Sequence, residues 1–530
     1  MKKLLIVLGC LLGIAVLILL AGGYYLSRFD PNAHKDEITK AFADATGRQL
    51  HLDGNLQLEF YPWLGLAVDQ LSVDNAKGFD QTPLLAVAHA ELRLKLLPLL
   101  RKHIEIGTVQ LSGVRINAEV ATDGSNNWTL ASGTSASEDS AGSSAQGNAQ
   151  IDKLSIGGIA ITDTRLVYNN RQNKTRYELK NLELQINEIN PGNKSFAVQK
   201  FALDFDDSHV SGTARIDDPL AMQGSFVIDI DAINADRYVP AAGNTASETA
   251  TAAAKPLPLA PLRKLNLQGT VSIGQLTFSG MKLTNIKIPL QSGKGLITFN
   301  PVTASLYGGS FTGNIGLDVT GATPLVKVGN TLANIDVGAL VTDFMKTNYV
   351  AGTGNMELGM EGRGNDIQSL KHNLNGTGKV QLVAGVLRGV DVGATLTTIE
   401  TMIRSKQLVD LPAGGETRFN TFSATLAIQN GVVNSNDLLI KAPGWQITGM
   451  GTLADLRRDA FEFNLQATVD PTTATVANQK YDIGGHTLPI TCSGSFASPR
   501  CLPDAKAILK AIAAKPAREL LDKALNRLLR

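Results

Sequence analysis

The sequence predicts a mainly β protein: an elongated, curved, antiparallel-rich sheet with few helices, preceded by one transmembrane helix. Three observations carry this. An uncharged apolar run, Leu4 to Leu26, opens the chain. Apolar and polar residues then alternate with period two through most of the remaining chain, the pattern of strands that bury one face. Glycine recurs where alternating runs begin, permitting bulges and bends that would curl a sheet into a trough.

The opening run holds 23 residues. At about 1.5 Å per residue it covers the roughly 30 Å hydrocarbon core of a bilayer. Lys2 and Lys3 precede it, while Arg28, Asp30, Lys35 and Asp36 cancel after it, so the positive-inside bias places the N-terminus in the cytoplasm and the bulk of the chain across the membrane. Two other readings compete. A cleaved signal peptide would use Ala21 and Gly23, but its apolar core is typically about 7–15 residues. A lipoprotein signal would use Cys10, yet the apolar run continues well past it.

From Pro31 to Thr46, a stripe of Ile38, Ala41, Phe42 and Ala45 with Gly47 as a stop predicts a short helix. Strand patterning begins directly after it, at Leu50/Leu52, Leu56/Leu58, Leu64/Leu66/Val68, Leu71/Val73, Ile104/Ile106, Val109/Leu111, Val114/Ile116, Ile159/Ile161, Leu166/Tyr168, Leu182/Leu184/Ile186, Phe201/Leu203/Phe205 and Phe226/Ile228/Ile230. Two low-complexity stretches interrupt it. Ser132–Gln150 reads as a mobile loop, and Ala241–Pro261 as a linker, since neither can bury enough apolar area to offset its ordering entropy.

Alternation recurs behind glycines such as Gly212 and, in the second half, Gly269, Gly313, Gly354, Gly376, Gly378, Gly449 and Gly451, without a fixed period. Helical spacing is confined to Val337–Met345, Val392–Lys406 and a basic amphipathic tail broken by Pro516. The expected divisions are residues 1–28 (cytoplasmic tip and membrane helix), 29–240 (first β-rich region), 241–261 (linker), 262–502 (second β-rich region) and 503–530 (C-terminal helix).

Lys and Arg total 49 against 48 Asp and Glu, giving net charge +1, so no global field favours nucleic acid. Cys492 and Cys501 are the cysteines of the exported part, and an oxidising compartment would let them pair; two free thiols are the alternative. Enzyme templates fail: the sequence has no His-Glu-x-x-His, Cys-x-x-Cys, Gly-x-Ser-x-Gly or phosphate loop, and its seven histidines are scattered. No catalytic residue, cofactor site or metal site is therefore expected, and Asp204, Asp206, Asp207, Asp229 and Asp231 read as a solvated strand face. The long apolar face has two readings, a packed core or an open groove able to hold acyl chains.

Several segments resemble the AsmA family. Ala45-Thr46-Gly47-Arg48 is followed by Leu50-x-Leu52-x-Gly54-Asn55-Leu56-x-Leu58, Pro62-x-Leu64-Gly65-Leu66-x-Val68 and Val73-x-Asn75-Ala76, directly after a single membrane helix. Gly113-Val114, Asp123-Gly124, Asn127-Trp128, Asp236-Arg237-Tyr238-Val239-Pro240, Ala304 through Gly313 and Asn375 through Asp391 continue the likeness along nearly the whole chain. The resemblance implies a protein of the Gram-negative inner membrane with a periplasmic, bridge-type β trough, linked to phospholipid movement toward the outer membrane and to outer-membrane integrity.

The expected mechanism is non-enzymatic. Phospholipid enters near the inner membrane and lies with its tails on the apolar face, with Leu56, Leu58, Leu66, Val109, Leu111, Leu182 and Leu184 as candidate lining; the same positions would serve a packed core. The inner membrane and other envelope proteins are the expected partners, and nucleic acid is not. The alternative is an assembly factor that binds outer-membrane proteins by strand addition at its sheet edges.

Overall fold

Nearly every alternating run becomes a strand in the computed structural model, which describes residues 30–59, 63–95, 104–129, 154–189, 195–238, 259–389, 391, 394, 398, 414–458, 460–469, 475–476, 479–480, 487–495 and 498–503. The membrane run Leu4–Leu26, the loop 132–150, nearly all of the linker 241–261 and the tail 504–530 lie outside the described residues. So does most of Val392–Lys406. Among the described residues no helix is long and apolar enough to cross a membrane. The chain divides into two compact units, Met1–Asp231 and Ala232–Arg530.

Unit 1 opens with a 3-10 turn, Pro31–His34, and helix α1, Lys35–Thr46, which Gly47 stops in the left-handed conformation (φ 71°). The strands are β1 (Leu50–Leu52), β2 (Leu56–Glu59), β3 (Trp63–Val73), β4 (Leu85–Lys95), β5 (Ile104–Ser112), β6 (Arg115–Val120), β7 (Leu154–Asn170), β8 (Thr175–Ile189), β9 (Phe196–Phe205), β10 (Ser208–Asp218) and β11 (Gln223–Asn234). Neighbours pair antiparallel with one departure: β5 and β6 both run parallel to β7. A parallel pair needs a crossover connection. The low-complexity stretch 132–150 falls within the one that links β6 to β7.

A crease crosses this sheet. β1 and β2 are one strand broken at Asp53–Gly54, since both pair with β3; β5 and β6 are likewise one strand broken at Gly113, since both pair with β4 and β7. Level with those breaks, Gln70 in β3, Asp163 in β7 and Asn181 in β8 adopt positive φ of 52°, 50° and 51°. Backbone bonds join the line from strand to strand: Gly54 N–H to the Asp69 carbonyl (3.1 Å), Ala88 N–H to that of Gly113 (3.3 Å) and Gly113 N–H to that of Thr162 (3.1 Å). Each such irregularity bends its strand and increases local twist. Gly113 has two reasons to be glycine: its φ is +65°, and an added Cβ would lie 2.5 Å from the Ala88 Cβ.

Unit 2 holds a 3-10 turn, Ala235–Arg237, then α2 (Leu259–Lys264), and continues through β12 (Asn266–Phe278), β13 (Met281–Gly293), β14 (Leu296–Leu306), β15 (Gly309–Asp318) and β16 (Leu325–Asp336). Helix α3 (Val337–Met345) comes next, N-capped by the Asp336 side chain, and its Asp343 accepts a hydrogen bond from the Tyr307 hydroxyl at 2.9 Å. After it stand β17 (Val350–Arg363), α4 (Ile367–His372), β18 (Asn375–Arg388), β19 (Glu416–Gln429), β20 (Val432–Ala442), β21 (Trp445–Asp455) and β22 (Ala460–Val469). A small hairpin, β23 (Thr475–Val476) with β24 (Gln479–Lys480), precedes β25 (Thr487–Ser495) and β26 (Ser498–Pro503). From β12 to β22, and on through β25 and β26, each strand pairs antiparallel with the next. Cys492, which is disulfide-bonded, lies directly across from Cys501.

The strand-interior glycines do something other than what their sequence positions suggest. Left-handed bends inside strands fall mostly on side-chain-bearing residues, as at Asn285 and Asn334, where Asn can hydrogen-bond locally and so tolerates that conformation, and at Ala384, which has no such help. Gly313 and Gly449 instead make room: an added Cβ would run into the Phe311 ring and the Phe463 ring respectively. Of the expected set, Gly451 does carry a positive φ, at 138°.

Candidate functional site

Three of the residues that carried the family likeness in unit 1, Arg48, Asn75 and Asn127, meet in a buried polar knot. Arg48 is buried and donates from Nη2 to the Asn127 carbonyl at 2.5 Å and the Thr129 carbonyl at 3.2 Å. Asn127 is fully buried: its Oδ1 accepts from the Glu119 N–H (2.8 Å), and its Nδ2 donates to the Asn117 carbonyl (2.7 Å) and Asn75 Oδ1 (3.0 Å). Glu119, also buried, pairs with Arg171, which reaches Asp80 at 2.7 Å. Every one of these groups is engaged by another part of the protein, so the knot ties α1, β3, β6 and β7 together. It presents no free acid, base or nucleophile to a substrate.

Titratable groups elsewhere in unit 1 form cross-strand pairs. His89 meets Asp69 at 2.7 Å, His51 meets Asp74 at 3.1 Å and His209 meets Asp204 at 2.6 Å. The His209 and Asn181 hydrogen bonds hold the Asp204 carboxyl below the usual range. Among the described residues no group of three or more His, Cys, Asp or Glu could hold a metal ion.

What the register does assemble is an apolar face. One row crosses unit 1 strand by strand: Leu56, Val68, Ala90, Leu111, Ile161, Leu184, Phe201, Gly212 and Ile228. A second holds Val109, Ile159, Ile186, Val198, Ala214 and Phe226. A third holds Leu50, Val73, Leu85, Ile116, Leu166, Leu179 and Phe205. The row on the opposite face, Gln57, Ala67, Glu91, Gln110, Ala160, Gln185 and Lys200, is polar.

All seven lining candidates fall on the apolar face. Leu56, Leu111 and Leu184 share its first row and Val109 heads its second; Leu58 pairs with Leu66, Leu66 with Leu92, and Leu182 lies opposite Thr164. Leu56 is 7% exposed and Leu66 is 41% exposed, while the other five are half-buried.

Unit 2 carries the same pattern in two states. Phe311, Leu332, Met356 and Val380 form a half-buried row over β15–β18. Farther along, Leu382, Phe419, Leu438, Ile440, Trp445, Ile447, Phe463 and Ala467 are buried against one another as a packed core. Core and open face are thus two stretches of one alternating design. The lining candidates, all taken from unit 1, omitted the unit 2 row; the Met356, Leu358, Met360 alternation was its signal.

Two further features were not singled out from the sequence. One is an aromatic series on the rim of the unit 1 apolar face, Trp128, Tyr168, Tyr177 and Phe205, with consecutive ring centroids 6.3, 6.3 and 6.1 Å apart. The other is an open depression of about 710 Å³ over β14–β18, with Thr298, Asn314, Lys327, Glu361, Asn375 and Thr377 among its lining. Those side chains alternate with the apolar row and so belong to the opposite, polar face.

The AsmA family profile matches residues 1–231 and 230–438 of this chain. Protein AsmA of Escherichia coli (strain K12) is 22% identical over an alignment of 527 residues, covering 80% of this chain and 81% of that protein. No solved structure matches the chain.

Proposed function

The chain belongs to the AsmA family, and from that premise we propose that it is an inner-membrane-anchored, periplasmic, non-enzymatic carrier of phospholipid toward the outer membrane, supporting outer-membrane integrity. The observation that carries this reading is the half-buried apolar face of unit 1, continuous in register from β2 to β11 and backed by a polar face. An ordinary core would bury such side chains fully, as β18–β25 do. Each methylene moved from water onto such a face gains about 0.8 kcal/mol, enough for a two-chain lipid to favour the face strongly over water. Leu4–Leu26 would hold the loading end of the face against the bilayer that supplies the lipid.

The test is mass spectrometry of lipid that co-purifies with the full chain after gentle detergent extraction. Phospholipid at a defined stoichiometry is the expected result. Its absence, together with crosslinks from sheet edges to polypeptide strands, would replace this reading with strand-addition assembly of outer-membrane proteins.

A further inference from the structure

The aromatic series on unit 1 has a position that packing alone does not explain. Tyr168 and Tyr177 are direct cross-strand partners, one row beyond Leu166 and Leu179, so the rings are the last row of the apolar face before the β7–β8 turn. Trp128 is 45% exposed and Tyr177 38%, whereas Leu166 and Leu179 beside them are half-buried. A large ring with a polar handle suits a boundary that is apolar on one side and wet on the other. The Tyr168 hydroxyl accepts from Asn170 Nδ2 at 3.2 Å, which leaves its O–H as a donor.

Beyond the rings, the turn supplies a cation. Lys174 is exposed and forms no ion pair with a described residue, whereas Arg176, one residue before Tyr177 in β8, lies with Glu178 on the opposite, polar face. Arg171, by contrast, is occupied by Glu119 and Asp80. Passing from Leu166 through Tyr168 to this tip, the surface changes from hydrocarbon to amphipathic ring to positive charge. The first of these steps, two strand residues, covers about 6.6 Å. The polar zone of one bilayer leaflet is roughly 5–8 Å deep.

We propose that this rim is where unit 1 holds the phosphate end of a phospholipid, with Lys174 of the turn facing the phosphate, Trp128, Tyr168 and Tyr177 spanning the glycerol and ester zone, and the acyl chains running from Phe205 onto the apolar rows. The proposal rests on the lipid-carrying reading and deepens it. It assigns the ligand an orientation across the strands, with the headgroup at the β7–β8 turn.

The experiment uses the detergent-solubilised full chain and tryptophan emission, with the Trp128 signal taken as the difference between the parent chain and its Trp128→Phe variant. The probes are phosphatidylglycerol spin-labelled on the headgroup, phosphatidylglycerol brominated at mid-chain, and inorganic phosphate alone. The expected result is that the headgroup label quenches Trp128 at least about twofold more than the mid-chain label. The Lys174→Glu variant should weaken that quenching severalfold, and inorganic phosphate should neither quench nor compete. Equal or stronger quenching by the mid-chain label, or no Trp128 quenching in a chain that still co-purifies with lipid, would overturn the rim and leave the carrier reading standing. Abolition of the quenching by inorganic phosphate would make the rim a site for free phosphate instead. A chain that takes up no lipid at all would sink both.

Discussion

Replacing Leu66 by Asn and, separately, Phe419 by Ala distinguishes an open apolar face from a packed core by magnitude. Leu66 is 41% exposed and Phe419 only 3%. Full burial of a leucine stabilises by about 1.5–3 kcal/mol, so a side chain about three-fifths buried contributes roughly 1–2 kcal/mol. The replacing amide stays within reach of water and adds little cost. Phe419 sits in the unit 2 core, where truncating a phenylalanine costs about 3–5 kcal/mol. For units of this size, 1 kcal/mol moves the melting temperature by about 2–4 °C. Leu66→Asn should therefore lower it by about 2–8 °C and Phe419→Ala by about 6–20 °C. Thermal melts followed by circular dichroism read the difference, and lipid mass spectrometry on the same preparations should show co-purifying phospholipid falling in Leu66→Asn while the chain remains folded. Should Leu66→Asn melt as low as Phe419→Ala, the unit 1 face is packed core and the groove reading fails.

Other perturbations address the supporting structure. Asn127→Ala leaves the buried Glu119 N–H and Asn117 carbonyl without partners and should cost roughly 2–4 kcal/mol in urea unfolding; a change under about 0.5 kcal/mol would mean the polar knot does not hold unit 1 together. Hydrogen bonds from Arg457, then Arg458, hold the Asp455 carboxyl well below its ordinary 3.8. A depressed folded value gives stability that is present above pH 3.8 and is lost as pH falls below it, so Asp455→Asn should flatten the acid limb of the unit 2 stability profile; an unchanged acid limb would contradict this. Thiol titration of the oxidised, unfolded chain should find one thiol, that of Cys10, with Cys492 and Cys501 silent, and Cys492→Ser should cost roughly 2–3 kcal/mol for loss of a bridge closing a loop of about ten residues.

Period-two alternation was a sufficient guide to most strands, because half-burial imposes it directly on composition. Helix α1 was equally legible, its stripe ending at Gly47 where a left-handed residue is needed. The two parallel pairings were not, since nothing local distinguishes a strand reached by a hairpin from one reached by a crossover. The crease was also hidden. Glycine suggested bends, but Gln70, Asp163 and Asn181 make them in unit 1, at positions where the surrounding pairings dictate the conformation. Seven lining candidates could be placed on one face from parity alone. The rim could not, because Trp128 comes from a loop and meets Tyr168 only after β7 has crossed over.

The crease separates two dimensions that a smoothly curved sheet would link. In unit 1 the bend is local to the strands it crosses, set by Gly54, Gln70, Gly113, Asp163 and Asn181, while the reach of the apolar face depends on how many strands lie side by side. Adding strands that carry the same interruption would extend the face without changing its bend. Straightening one strand at its bulge would change the bend at that strand alone. Bend and reach can therefore be tuned separately in this architecture, by point substitution for the first and by duplication of hairpins for the second.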